Sequence, residues 1–109
     1  MPAAISCVDK LPNVRFVVDH ISKPRISDSK MHPWYELIGE LARRPNVCCK
    51  MSGMVTEANW DNWTEENFQP YFNRVLEVFD ANRLMYGSDW PVCVIAGGYS
   101  KVFNLARTL

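Results

Sequence analysis

Three short apolar runs limit what this chain can fold into. They are Arg15-Phe16-Val17-Val18-Asp19, Val47-Cys48-Cys49-Lys50-Met51 and Arg83-Leu84-Met85-Tyr86-Gly87. Each is too short for an ordinary helix, and β-branched or aromatic residues recur in them, so they read as strands. A longer amphipathic stretch follows each one. Such alternation produces parallel strands joined by crossover helices. The fold class expected is therefore α/β, with strands buried on both faces as parallel strands usually are.

The stretches between the runs carry helical periodicity. From Trp34 to Arg44, the residues Trp34, Leu37, Ile38 and Leu41 share one face, and Pro45-Asn46 ends the helix. Thr64 is placed to cap a second helix whose stripe is Phe68, Tyr71, Phe72, Val75, Leu76 and Phe79. Pro70 lacks an N–H and is expected to bend or restart that helix. Gly97-Gly98 marks a turn, and Tyr99 to Leu109 reads as a last helix. Met1 to Leu11 fits either the tail of a helix or a loose terminus.

Composition narrows the function classes. Among 109 residues, 12 Lys+Arg balance 12 Asp+Glu without clustering, so no footprint for nucleic acid or anionic lipid is present. No run of about eighteen apolar residues exists to cross a membrane. No basic segment leads into an apolar one at Met1, so no secretory leader is expected. Cys7, Cys48, Cys49 and Cys93 contain no Cys-x-x-Cys pair, which leaves zinc ribbons and thioredoxin-like motifs unsupported. The expectation is a cytoplasmic protein with reduced, mostly buried thiols.

Ligands of parallel α/β sheets and barrels bind at the carboxyl ends of strands. The polar residues just past each run are Asp19 and His20, then Lys50 and Ser52, then Ser88 and Asp89. His20 is a candidate for polarising a carbonyl or ligating a metal, against the plainer role of bonding a neighbouring loop. Asp89 is a candidate general base or metal ligand, against a turn cap. Lys50 can hold a carboxylate or oxyanion, against snorkelling at a strand end. Asp19 is expected to orient His20 or form an ion pair. His32 reads as an exposed loop residue. Trp60, Trp63 and Trp90 are candidate pocket walls, with core packing the plainer reading for the first two. Ser52 and Ser88 lack a Gly-x-Ser-x-Gly context, so a serine-hydrolase reading is weak.

Four segments together resemble a known family: Phe16-Val17-Val18-Asp19-His20, Lys23-Pro24, Cys49-Lys50-Met51-Ser52-Gly53 and Leu84-Met85-Tyr86-Gly87-Ser88-Asp89-Trp90-Pro91. They are similar to the C-terminal part of the amidohydrolase-related metal-dependent hydrolases, in the L-fuconolactonase-like sugar-acid lactonase branch. The resemblance implies a partial (β/α)8 TIM barrel, with residues 1–109 as about three C-terminal strand–helix units. It implies lactone opening by water, with Asp89 and His20 catalytic and Lys50, Ser52 and Trp90 binding substrate. It further implies a divalent metal such as zinc in the full-length parent, with His20 and Asp89 as candidate ligands. The His-x-His pair of the family's first strand is absent. A barrel takes about 250 residues, so a fragment, inactive alone, is the expectation. Alternatives are a decarboxylase or another lactone or ester hydrolase on the same barrel, or a non-catalytic fragment. The expected partner is a small-molecule lactone, with self-association through exposed sheet edges.

Overall fold

The computed structural model describes residues 1–109. Three parallel strands, β1 (Phe16–Val18), β2 (Val47–Met51) and β3 (Leu84–Tyr86), form one sheet in the order β1-β2-β3. Phe16 pairs with Val47 and Cys49 with Leu84, so β2 and β3 end level at Met51 and Tyr86, while β1 ends two residues short of them at Val18, opposite Cys49. Helices α1 (Pro2–Lys10), α2 (Trp34–Ala42), α3 (Met54–Glu57), α4 (Glu65–Phe79) and α5 (Tyr99–Thr108) make up the rest of the framework with short 3-10 turns. The first residues thus form a helix rather than a loose end. No helix is long and apolar enough to cross a membrane.

Pro70 does not interrupt α4, which runs unbroken from Glu65 to Phe79. Its start is fixed from the other side, where the Asn67 side chain accepts a 2.8 Å hydrogen bond from the Thr64 N–H. Of the expected stripe, Phe68, Tyr71, Val75 and Phe79 are buried, against Trp34 among others, whose ring meets Tyr71 edge-on, whereas Phe72 is half-buried and Leu76 exposed.

The sheet is covered on one face only, which corrects the expectation of two buried faces. Val47, Cys49 and Met51 point into the helices and are buried, whereas the alternate residues of β2 are not. Register puts Val17, Cys48, Lys50 and Met85 on the other face. Val17 is 54% exposed and Met85 42%. The outer edges of β1 and β3 pair with no further strand.

Arg83, just before β3, ties the amino ends of the sheet to the helices. Its guanidinium donates to the carbonyls of Ala42, Arg44, Val47 and Val78, at 2.8–3.3 Å. Two of these lie at the carboxyl ends of α2 and α4, where orphan carbonyls favour a cation. Only two of the four cysteines, Cys49 and Cys93, are buried; Cys7 is exposed and Cys48 intermediate, and all four are free thiols.

Candidate active site

The carboxyl ends of the three strands bring His20, Lys50, Asp89 and Asp19 together. His20 follows β1 and Asp89 follows β3, with β2 between them, yet His20 Nε2 lies 3.5 Å from Asp89 Oδ1. The same nitrogen is 3.4 Å from Asp19 Oδ2. Lys50 Nζ reaches Asp19 Oδ1 at 3.3 Å. Behind the ring, Ser52 Oγ is 2.7 Å from His20 Nδ1.

The backbone that delivers His20 is strained. His20, Ile21, Ser22 and Lys23 all have φ between 43° and 62°. Left-handed backbone costs an L-residue about 1–2 kcal/mol, and a β-branched residue such as Ile21 tolerates it worst. Two contacts hold the turn in place. Ile21 is fully buried, and its carbonyl accepts a 2.8 Å hydrogen bond from the buried Trp34 indole. Asp89 also sits at positive φ, 59°, in a loop fixed by the Cys93 N–H donating to its carbonyl at 2.8 Å. Strain of this kind persists where the surroundings over-determine it, and it gathers at functional sites.

Two glycines make room for the cluster. A Cβ on Gly53, which has φ of +67°, would sit 2.8 Å from Cγ and Nδ1 of the His20 ring. One on Gly87 would sit 2.5 Å from Lys50 Cε and 3.1 Å from Ser52 Cβ. The glycines of Ser52-Gly53 and Gly87-Ser88 are therefore where the strand ends close onto the His20 ring and the Lys50 side chain.

The carboxyl of Asp19 titrates below its ordinary range. Its slight burial works in the raising direction, but the Lys50 ammonium and the His20 ring outweigh it. Burial pushes the Cys49 thiol up to about 12, so it takes no part as a nucleophile at neutral pH.

Each expected site residue can now be placed. His20 and Asp89 meet, and Lys50 joins them through Asp19. Trp90, 64% exposed, stands beside Asp89 with its ring in solvent. Ser52, expected to bind substrate, is only 3% exposed and offers a substrate no open surface; its hydroxyl belongs to His20. Trp63 packs in the core against Phe68, while Trp60 is exposed with its indole on the Thr56 carbonyl. His32 is exposed and pairs with Glu36. A cavity of about 320 Å³ runs along β1, lined mainly by apolar residues such as Val8, Val17 and Leu41. Of the polar cluster, only Asp19 lines it.

The donor set does not make a metal centre by itself. No group of three or more His, Cys, Asp or Glu is placed to hold an ion, and Ser52 already occupies Nδ1 of His20. Zinc sites take at least three protein ligands. The expected pair of ligands is thus insufficient, and a metal would need donors from outside these residues.

Parallel strands with outer helices and a polar cluster at the strand ends define a segment of a β/α barrel. The chain belongs to the amidohydrolase family, whose profile matches residues 1–109. It is 39% identical over 99 residues to L-fucono-1,5-lactonase of Burkholderia ambifaria, covering 91% of this chain and 34% of that protein. It is 29% identical to L-rhamnono-gamma-lactonase of Scheffersomyces stipitis, covering 92% and 35%. It superposes on a zinc-bound crystal structure of an amidohydrolase from Burkholderia multivorans with a TM-score of 0.90 and 34% identity, covering 98% of this chain and 40% of the other. The fold is accordingly a partial barrel, and the chain spans about a third of the length of the curated relatives it matches.

Proposed function

We propose that residues 1–109 are the C-terminal portion of an amidohydrolase barrel that opens a sugar-acid lactone with water. The observation that carries this reading is the approach of His20 and Asp89 to 3.5 Å across an intervening strand. Similarity to the two lactonases supports the substrate class. Three strands form one wall of a barrel mouth, so the activity belongs to the closed barrel.

Asp89 takes the proton from water as the oxygen attacks the lactone carbonyl carbon. The N–H of His20 donates to the carbonyl oxygen as negative charge develops there. When the ring C–O bond breaks, the departing oxygen recovers a proton from Asp89, and the product is the open hydroxy acid. The Lys50 ammonium and the exposed Trp90 ring hold the sugar's oxygens and its apolar face. The test is the rate of acid release from a sugar-acid 1,5-lactone by the barrel containing these residues, wild type against Asp89→Asn. A fall in kcat of about 10²–10⁴ is expected; an unchanged rate removes Asp89 from the chemistry.

A further inference from the structure

We propose that Ser52 is a positioning residue whose buried hydroxyl donates to Nδ1 of His20 and so fixes the ring proton on Nε2, the nitrogen facing Asp89. This rests on the reading of His20 as the donor to the lactone carbonyl, since only an Nε2–H can serve there.

Both ends of the ring select the same tautomer. A hydroxyl has a single proton, and Ser52 Oγ has one hydrogen-bond partner, His20 Nδ1 at 2.7 Å. If Nδ1 carried the proton, Ser52 would have to accept, and its own O–H would be buried with no acceptor, since Ser52 is 3% exposed. With Nδ1 bare, Ser52 donates and every polar atom is satisfied. At the opposite corner, Nε2 lies 3.4 Å from Asp19 Oδ2 and 3.5 Å from Asp89 Oδ1. A lone pair aimed at two carboxylates is repelled, whereas an N–H is attracted.

The ring cannot escape this choice by turning. Gly53 presses on one side, where even a methyl would stand 2.8 Å from Cγ and Nδ1. Ser52 is itself hemmed in, because a Cβ on Gly87 would stand 3.1 Å from its own. The line Ser52–His20–Asp89 has the order of a nucleophilic triad, but a nucleophile must meet an acyl carbon, and a hydroxyl this deeply buried cannot. Ser52 therefore acts through His20 and never on substrate.

The test reads the ring directly. Long-range proton–nitrogen correlation on the 15N-labelled 109-residue chain at neutral pH reports which nitrogen of His20 is protonated, with His32→Gln assigning the second histidine. The proton is expected on Nε2 alone in the wild type and in Ser52→Thr; in Ser52→Ala, where only the two carboxylates still favour Nε2, a measurable share is expected on Nδ1. A wild-type proton on Nδ1, or on both nitrogens, overturns the proposal; so does a Ser52→Ala spectrum matching the wild type. If Ser52→Ala does not fold, the wild-type and Ser52→Thr spectra still decide. In the lactone-opening barrel, Ser52→Ala should lower kcat about tenfold with KM unchanged, and Ser52→Thr should restore it. The spectrum uses no substrate, so the two readings fail separately. The wrong tautomer sinks this proposal alone, while full activity in Asp89→Asn sinks the catalytic reading and leaves the tautomer standing.

Discussion

Gly53→Ala probes the packing on which His20 depends, and its cost divides into two parts. The first is backbone: φ at this position is +67°, and placing an L-residue there costs about 1 kcal/mol. The second is contact. The new methyl would lie 2.8 Å from two atoms of the His20 ring, so the ring must shift and the 2.7 Å bond to Ser52 loosens with it, at about another 1–2 kcal/mol. Together the loss is about 2–3 kcal/mol. Urea unfolding of a small domain, at about 1–3 kcal/mol per molar, would show this as a midpoint lowered by about 0.7–3 M. The decisive form is a double-mutant cycle with His20→Ala. Once the ring is gone, Gly53→Ala should cost only its backbone part, leaving a coupling of about 1–2 kcal/mol. Equal costs with and without the ring would refute the argument that Gly53 exists to admit His20.

Other substitutions probe different parts of the same framework. Arg83→Met should destabilise by about 2–4 kcal/mol in the same urea assay, since it strips four carbonyls of a shared charged donor. Trp34→Phe keeps the ring packing but removes the donor to the buried Ile21 carbonyl, and should cost about 1–3 kcal/mol. A thiol reagent at neutral pH should label exposed Cys7 quickly, and Cys49 and Cys93 only on unfolding, as mass spectrometry of digested samples would show. Asp9 is held below its ordinary carboxylate range by its hydrogen bonds to Arg44. Its folded pKa is depressed, so its contribution is complete above the unfolded value of about 3.9 and is lost as pH falls through the folded one. Asp9→Asn should therefore flatten the stability profile in that acid window and leave the slope at neutral pH unchanged.

The strands and their order along the chain were legible because Phe16–Val18, Val47–Met51 and Leu84–Tyr86 are apolar runs bounded by turn residues. The chain positions of His20 and Asp89 followed from the rule that binding residues stand past strand ends, whereas Lys50 lies inside β2, one residue from its end. What sequence could not supply was the side of the sheet on which helices lie. Strands of three residues are too short to display alternation, so Val17 and Met85 read as buried when they face outward. Pro70 does not restart the helix, because α4 runs on past the missing N–H. The role of Ser52 depends on a contact with a residue 32 positions away, and no local pattern encodes it. Arg83 looked like a strand flank, since three of its four acceptors, Ala42, Arg44 and Val47, lie 36 to 41 positions away. The glycines after β2 and β3 were the available clue to a tight site, for only a side chain pressed against the backbone forbids a methyl there.

The open face of the sheet gives the Lys50–Asp19 pair two different weights. With Lys50 and Asp19 side chains 35% and 60% exposed, water screens the pair, and such contacts are worth about 0–1 kcal/mol. Lys50 is the one charged side chain among Val17, Cys48 and Met85 on that face. Any layer that covers the face removes the ammonium from water along with them. Asp19 then becomes its obligatory counter-ion, and loss of either partner costs about 3–5 kcal/mol. Lys50→Met is thus close to neutral in an open sheet and severe in an enclosed one, which makes the stability of that single variant a gauge of barrel closure.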